Sequence, residues 1–138
     1  MSAALVPELY VTDLEISLNF YVGLLEFKIL YDRPAEKFAY LKKGSAEIML
    51  EEPVGRAWLT GDLEHPFGRG INFQIEVDDV GALFERCVAS ETKIFLALET
   101  KTYARRNDTV SQTQFIVQDP DGYLIRLAQI TPSTDKQK

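Results

Sequence analysis

The sequence predicts an α+β fold built from two copies of one βαβββ module, and two observations predict it. Val11-Thr12-Asp13-Leu14 returns 66 residues later as Val77-Asp78-Asp79-Val80, each time where a strand pattern gives way to a helix pattern. Each helix pattern is then followed by three short strand patterns.

Residues 5–11 alternate loosely and open the first module. Asp13 is placed to cap a helix in which Leu14, Leu18 and Tyr21 recur at helical spacing, and Gly23 is the expected left-handed residue that ends it. Strands are expected at 27–31, 38–41 and 47–51, with Lys43-Gly44 turning between the last two. Residues 53–70, rich in Gly and Pro, read as a linker. The second module opens on strict alternation over Ile71-Asn72-Phe73-Gln74-Ile75-Glu76-Val77. Its helix carries Val80, Leu83, Phe84, Cys87 and Val88 on one stripe, which assigns Cys87 to core packing. Strands are expected at 93–98, 113–117 and 123–128, with Asp119-Pro120-Asp121-Gly122 as a tight turn. The modules span about 5–53 and 69–130 of a single domain, 1–131, and residues 132–138 form a polar tail.

Of the 138 residues, 46% are hydrophobic and 26% charged, an ordinary globular balance. No apolar run approaches the ~20 residues that cross a bilayer, and the N-terminus lacks the pattern of a signal peptide. One cysteine leaves no intrachain disulfide, so the cytoplasm is the expected compartment. A net charge of −6 with only short basic pairs, Lys42-Lys43 and Arg105-Arg106, argues against nucleic acid and anionic membranes as partners.

If apolar strand residues face the helices, Leu5, Leu9, Val11, Ile71, Phe73, Ile75 and Val77 point inward. The opposite faces then carry Val6, Glu8, Tyr10, Phe38, Tyr40, Glu47, Met49 and Glu51 in the first module. In the second they carry Asn72, Gln74, Glu76, Leu124, Arg126 and Ala128. A face mixing aromatics, a methionine and glutamates with one arginine suits a ligand cleft.

The stretch Val11-Thr12-Asp13-Leu14-Glu15-x-Ser17-x-x-Phe20-Tyr21 resembles the first-module motif of the vicinal oxygen chelate superfamily, which includes glyoxalases, extradiol dioxygenases and bleomycin resistance proteins. Phe73-x-x-x-Val77-Asp78-Asp79-Val80 and Asp119-Pro120-Asp121-Gly122-x-x-Ile125-x-Leu127 are similar to its second-module motifs. The resemblance implies strands curled into cups, and a homodimer. It also implies four places where the enzymes of the superfamily hold a divalent metal, and here these are Val6, Met49, Asn72 and Arg126. Those side chains do not make a metal site, so neither metal nor other cofactor is expected, and the lone histidine, His65, lies in the linker. The departure favours the bleomycin-resistance branch, whose members sequester a drug without transforming it. On that resemblance the expected ligand is a bleomycin-like, cationic aromatic small molecule held by Phe38, Tyr40, Glu47, Met49, Glu51, Trp58, Asn72, Gln74, Tyr103 and Arg126. An endogenous metabolite as ligand, or a glyoxalase- or dioxygenase-like enzyme of the same fold, is the alternative.

Overall fold

In the computed structural model, residues 3–132 are described; the expected tail, 132–138, lies outside them except for Pro132, which belongs to the last strand. They form two compact units: residues up to 69 together with 119–123, and residues 70–118 together with those from 124 on. Unit 1 holds β1 (Glu8–Tyr10), α1 (Leu14–Leu18), β2 (Lys28–Arg33), β3 (Phe38–Lys43) and β4 (Ala46–Glu51). Unit 2 holds β5 (Asn72–Glu76), α2 (Val80–Ala89), β6 (Ile94–Ala104), β7 (Thr109–Gln118) and β8 (Leu124–Pro132). The sheet orders are β1-β4-β3-β2 and β5-β8-β7-β6. In both, the first strand pairs parallel with the last and the remaining pairs are antiparallel. The two expected βαβββ modules are therefore present, as open four-stranded sheets. No helix among the described residues is long and apolar enough to cross a membrane.

Alternation fixes one face of each sheet as core. In unit 1, Leu9, Ala39, Leu41, Ile48 and Leu50 are buried, as are Leu14, Tyr21 and Phe27, with Tyr21 edge-on to Phe27. In unit 2, Ile75, Phe115, Val117, Ile125 and Leu127 are buried with Val80, Leu83 and Cys87 of α2, and Phe84 meets Phe115 edge-on. Both helices are capped by the expected aspartates, Asp13 accepting from the amide of Ile16 and Asp79 from that of Ala82.

Several expectations are corrected. Gly23 does not end the first helix: the chain continues past α1 as a wider π-helical turn, Asn19–Leu24, and the left-handed residue is Glu26 at φ 68°. Leu5 and Ile71 do not face a helix but are 81% and 49% exposed, because the strands begin only at Glu8 and Asn72. Val88 turns outward at the end of α2. The last three strands are longer than expected. β6 and β7 continue beyond the apolar residues as a polar hairpin held by Thr100–Thr113 and Thr102–Ser111 hydroxyl pairs. Arg105 sits at its tip, paired to Asp108 at 2.8 Å.

Register shifts reset side-chain direction once on β2 and twice on β6, the second on β6 falling between Leu96 and Glu99. On β2 the register slips between Ile29, opposite Leu41, and Tyr31, opposite Tyr40, so Tyr31 leaves the core face for the other one. On β6 the same happens between Ile94, opposite Val117, and Leu96, opposite Ile116.

The Ser17 hydroxyl is fully buried and has no hydrogen-bond partner among the described residues. Ser17→Ala should therefore be neutral or stabilising by up to about 1 kcal/mol, checked by urea denaturation; a clear loss of stability would show that the hydroxyl is satisfied in solution.

Candidate functional site

The face of unit 1 turned away from its helix is built row by row from strand pairing. Glu8 and Tyr40 flank Met49, Tyr10 and Phe38 flank Glu51, Lys42 faces Glu47, and Tyr31 and Arg33 add the outer row. Tyr31 stacks on Tyr40 with centroids 5.0 Å apart, and the Arg33 guanidinium lies 4.1 Å over the Phe38 ring. Phe38 and Tyr40 are buried, whereas Tyr31 is half exposed and presents the open end of the stack.

The acids on this face have different work. Glu47 is buried; its Oε1 accepts from the Tyr40 hydroxyl at 2.6 Å and the Ala3 amide at 3.0 Å, and its Oε2 from Lys42 at 3.2 Å. These donors, the Tyr40 hydroxyl first, draw its carboxyl down to about 2 and use its acceptor sites within the chain. Glu8 behaves oppositely. Burial, then a hydrogen bond and repulsion from Glu51, push it up to about 7, and Arg33 only partly offsets this. Glu8 and Glu51 thus form an acid pair that holds one proton near neutrality.

Trp58 is in the linker and 69% exposed, its amide donating to the Tyr10 hydroxyl at 3.0 Å and its ring lying 5.1 Å from the Arg56 guanidinium. His65, also exposed, shares a cavity of about 240 Å³ with Thr12, Asp13, Ile16, Pro120 and Asp121. A second cavity, about 460 Å³, lies beside β2 and β3 among Glu26, Lys28, Leu30, Lys42, Lys43 and Gly44.

Unit 2 places Asn72, Gln74 and Glu76 on β5 directly beside Leu124, Arg126 and Ala128 on β8. Gln114 and Ile116 of β7, then Glu99 and Leu96 of β6, complete the rows. Gln112 of β7 reaches Gln74 of β5 at 3.2 Å although β8 runs between them, so this face is concave. Tyr103 is on β6 opposite Val110, close to the hairpin tip and 43% exposed.

Of the expected site residues, Phe38, Tyr40, Glu47, Met49 and Glu51 share the unit 1 face, to which the Trp58 amide is tied through the Tyr10 hydroxyl; Asn72, Gln74 and Arg126 share the unit 2 face, with Tyr103 farther along toward the hairpin tip. Sequence reasoning missed Tyr31, whose spacing from Phe27 and Ile29 puts it on the core face; nothing in the residues announces the bulge that turns it. It also missed Gln112 and Gln114, hidden in a strand that reads as polar.

The four positions implied for a metal hold Val6, Met49, Asn72 and Arg126, a donor set that fits no divalent ion. No group of three or more His, Cys, Asp or Glu among the described residues is arranged to hold a metal.

A family model described as the Glyoxalase/Bleomycin resistance protein/Dioxygenase superfamily matches residues 4–127. Among solved structures, a glyoxalase/bleomycin resistance protein/dioxygenase superfamily member from Vibrio splendidus 12B01 is 40% identical, over 90% of this chain and 95% of that one, with a TM-score of 0.43. TioX from Micromonospora sp. ML1 is 22% identical over 93% and 98%, with a TM-score of 0.72. Lactoylglutathione lyase from Agrobacterium tumefaciens is 20% identical over 94% of each chain, with a TM-score of 0.61. The last two share the fold. No curated protein matches the sequence.

Proposed function

Since this chain belongs to the Glyoxalase/Bleomycin resistance protein/Dioxygenase superfamily, we propose that it is a binding protein that sequesters a cationic aromatic small molecule without a metal. The observation that carries the reading is the unit 1 face, where the exposed end of the Tyr31–Tyr40 stack shares a surface with the Glu8–Glu51 acid pair. An aromatic ring stacked on Tyr31 and a cation beside the acids each contribute about 0.5–2 kcal/mol. Metal chemistry gains no support from the donor set. The reading includes a cytoplasmic homodimer, tested by sedimentation of the purified chain.

Bleomycin is the probe of choice. A ligand that binds only the folded chain raises its melting temperature by mass action, so hundredfold excess over a micromolar Kd adds about 2.7 kcal/mol. No shift at that excess overturns the drug reading. Tyr31→Ala should weaken binding about tenfold with little change in stability, since half of the ring is already exposed. The pH dependence has a defined sign. Glu8, which faces Glu51 on β4 and Arg33 on β2, loses its proton as pH rises through about 7 and adds negative charge to the face. Affinity for a permanently charged aromatic cation should thus rise several-fold from pH 6 to pH 8 by calorimetry, and Glu8→Gln should flatten the profile.

A further inference from the structure

The concave face of unit 2 is chemically unlike that of unit 1. Arg126 stands at its centre, in register with Gln74 on one side and Ile116 on the other. It forms no ion pair among the described residues, and its Nε is shut off from solvent with no hydrogen-bond partner. Buried polar groups are nearly always satisfied, so an orphaned guanidinium nitrogen calls for an explanation.

The amides beside it are oriented. Glu99 can only accept, and it takes the Nε2 of Gln114 at 2.9 Å. The Oε1 of Gln114 then accepts from Gln112 at 2.7 Å, and the same Gln112 nitrogen donates to the Oε1 of Gln74 at 3.2 Å. The relay, started by a carboxylate at one end, finishes with the Nε2 donors of Gln74 unused among the described residues, in the position paired with Arg126. Two neighbouring side chains thus offer unused donors, and one of them carries a fixed positive charge in a chain of net charge −6.

We infer that Arg126 and Gln74 form an oxyanion subsite on the concave face of unit 2, taking a carboxylate or phosphate group of a small molecule. A planar guanidinium matches either group through paired N–H donors, and the Gln74 amide adds a neutral donor at its edge. Ile116 and Leu96, in the same row, give the rest of such a ligand an apolar wall. The subsite is independent of the ligand read for unit 1.

The test uses the full chain, labelled with ¹⁵N, and follows the Arg126 Nε–Hε signal during titration with inorganic phosphate and, separately, with benzoate, each against chloride at matched ionic strength. The signal is assigned by its disappearance in Arg126→Gln, and far-UV circular dichroism confirms that each variant is folded. A saturable shift with at least one oxyanion is expected, and the arm that saturates at lower concentration identifies the group. Arg126→Lys should weaken binding about tenfold, since it keeps the charge but loses the fork, and Gln74→Leu, at an exposed position, by a similar factor. If neither oxyanion moves the signal beyond chloride, or if Gln74→Leu binds as well as the parent chain, the assignment is overturned. No drug is used, so the result does not depend on whether bleomycin binds.

Discussion

Asp119→Ala should cost about 3–5 kcal/mol at pH 5 and clearly less at pH 8, measured by urea denaturation at both values. Within unit 1 its Oδ2 accepts from the Tyr21 hydroxyl at 2.6 Å, while Oδ1 accepts from the amides of Asp121 and Tyr123, both at 2.9 Å. Alanine leaves three donors without a partner, and Tyr21 has no exposure through which water could replace it. The pH dependence follows from the burial of Asp119 itself. Burial pushes its carboxyl up to about 6 from a usual value near 3.8, against the pull of its three donors. Below 3.8 both folded and unfolded chains hold the proton, and the contribution to stability is complete. Between 3.8 and 6 only the folded chain holds it, so stability falls as pH rises, and above 6 about 3 kcal/mol has been lost. Asp119→Asn still accepts from the two amides and cannot ionise. Its stability should lose the part of the slope between pH 4 and 7 that Asp119 supplies and keep the part due to Glu8, whose carboxyl is also pushed up, to about 7. An Asn variant that tracks the parent chain across this range would show that Asp119 is already ionised at pH 5.

The second large effect is expected in unit 2. Phe115 is fully buried and edge-on to Phe84 of α2 at 5.2 Å, so Phe115→Ala removes a ring from the middle of the core and should cost about 3–5 kcal/mol. Cys87 reports on the same core. It has no exposure, and burial pushes its thiol up to about 11, so it reacts with a thiol reagent only when unit 2 opens. Labelling of Cys87 should accelerate more than a hundredfold in Phe115→Ala if opening precedes reaction. A rate equal to that of the parent chain would mean that the thiol is reached by another route.

The sequence announced its modules because the signals that define them are local. Asp13 and Asp79 cap helices within three residues of their partners, and the alternation of Ile71 to Val77 needs no knowledge of the rest of the chain. What stayed hidden depends on distant or conformational facts. The π-helical turn keeps Gly23 inside the helical segment and moves the left-handed position to Glu26, which carries no glycine to mark it. Glu47 reads as a ligand-binding acid of the cleft, and nothing local shows that the Tyr40 hydroxyl and the Ala3 amide, the latter 44 residues away in sequence, close around it. The polar hairpin of β6 and β7 has hydroxyls where an apolar rhythm would have revealed strands. The candidate faces were legible as residue lists, through period-two alternation. Their chemistry was not, because a bulge decides that Tyr31 joins Tyr40, and a relay of amides decides which donors remain beside Arg126.

The Asp-Pro-Asp-Gly turn was expected to do no more than join two strands of the second module, yet residues 119–123 group with unit 1. There Asp121 accepts from the amide of Thr12, the Tyr123 hydroxyl donates to the carbonyl of Tyr10, and a methyl group on Gly122 would lie 2.5 Å from Pro66. Chain order and structural membership therefore disagree. A fragment cut at the apparent boundary near residue 69 would keep every strand of its sheet and still lack five residues that belong to it. Such a fragment is a natural subject for complementation, with a short synthetic peptide supplied in trans to complete what the genetic boundary leaves out.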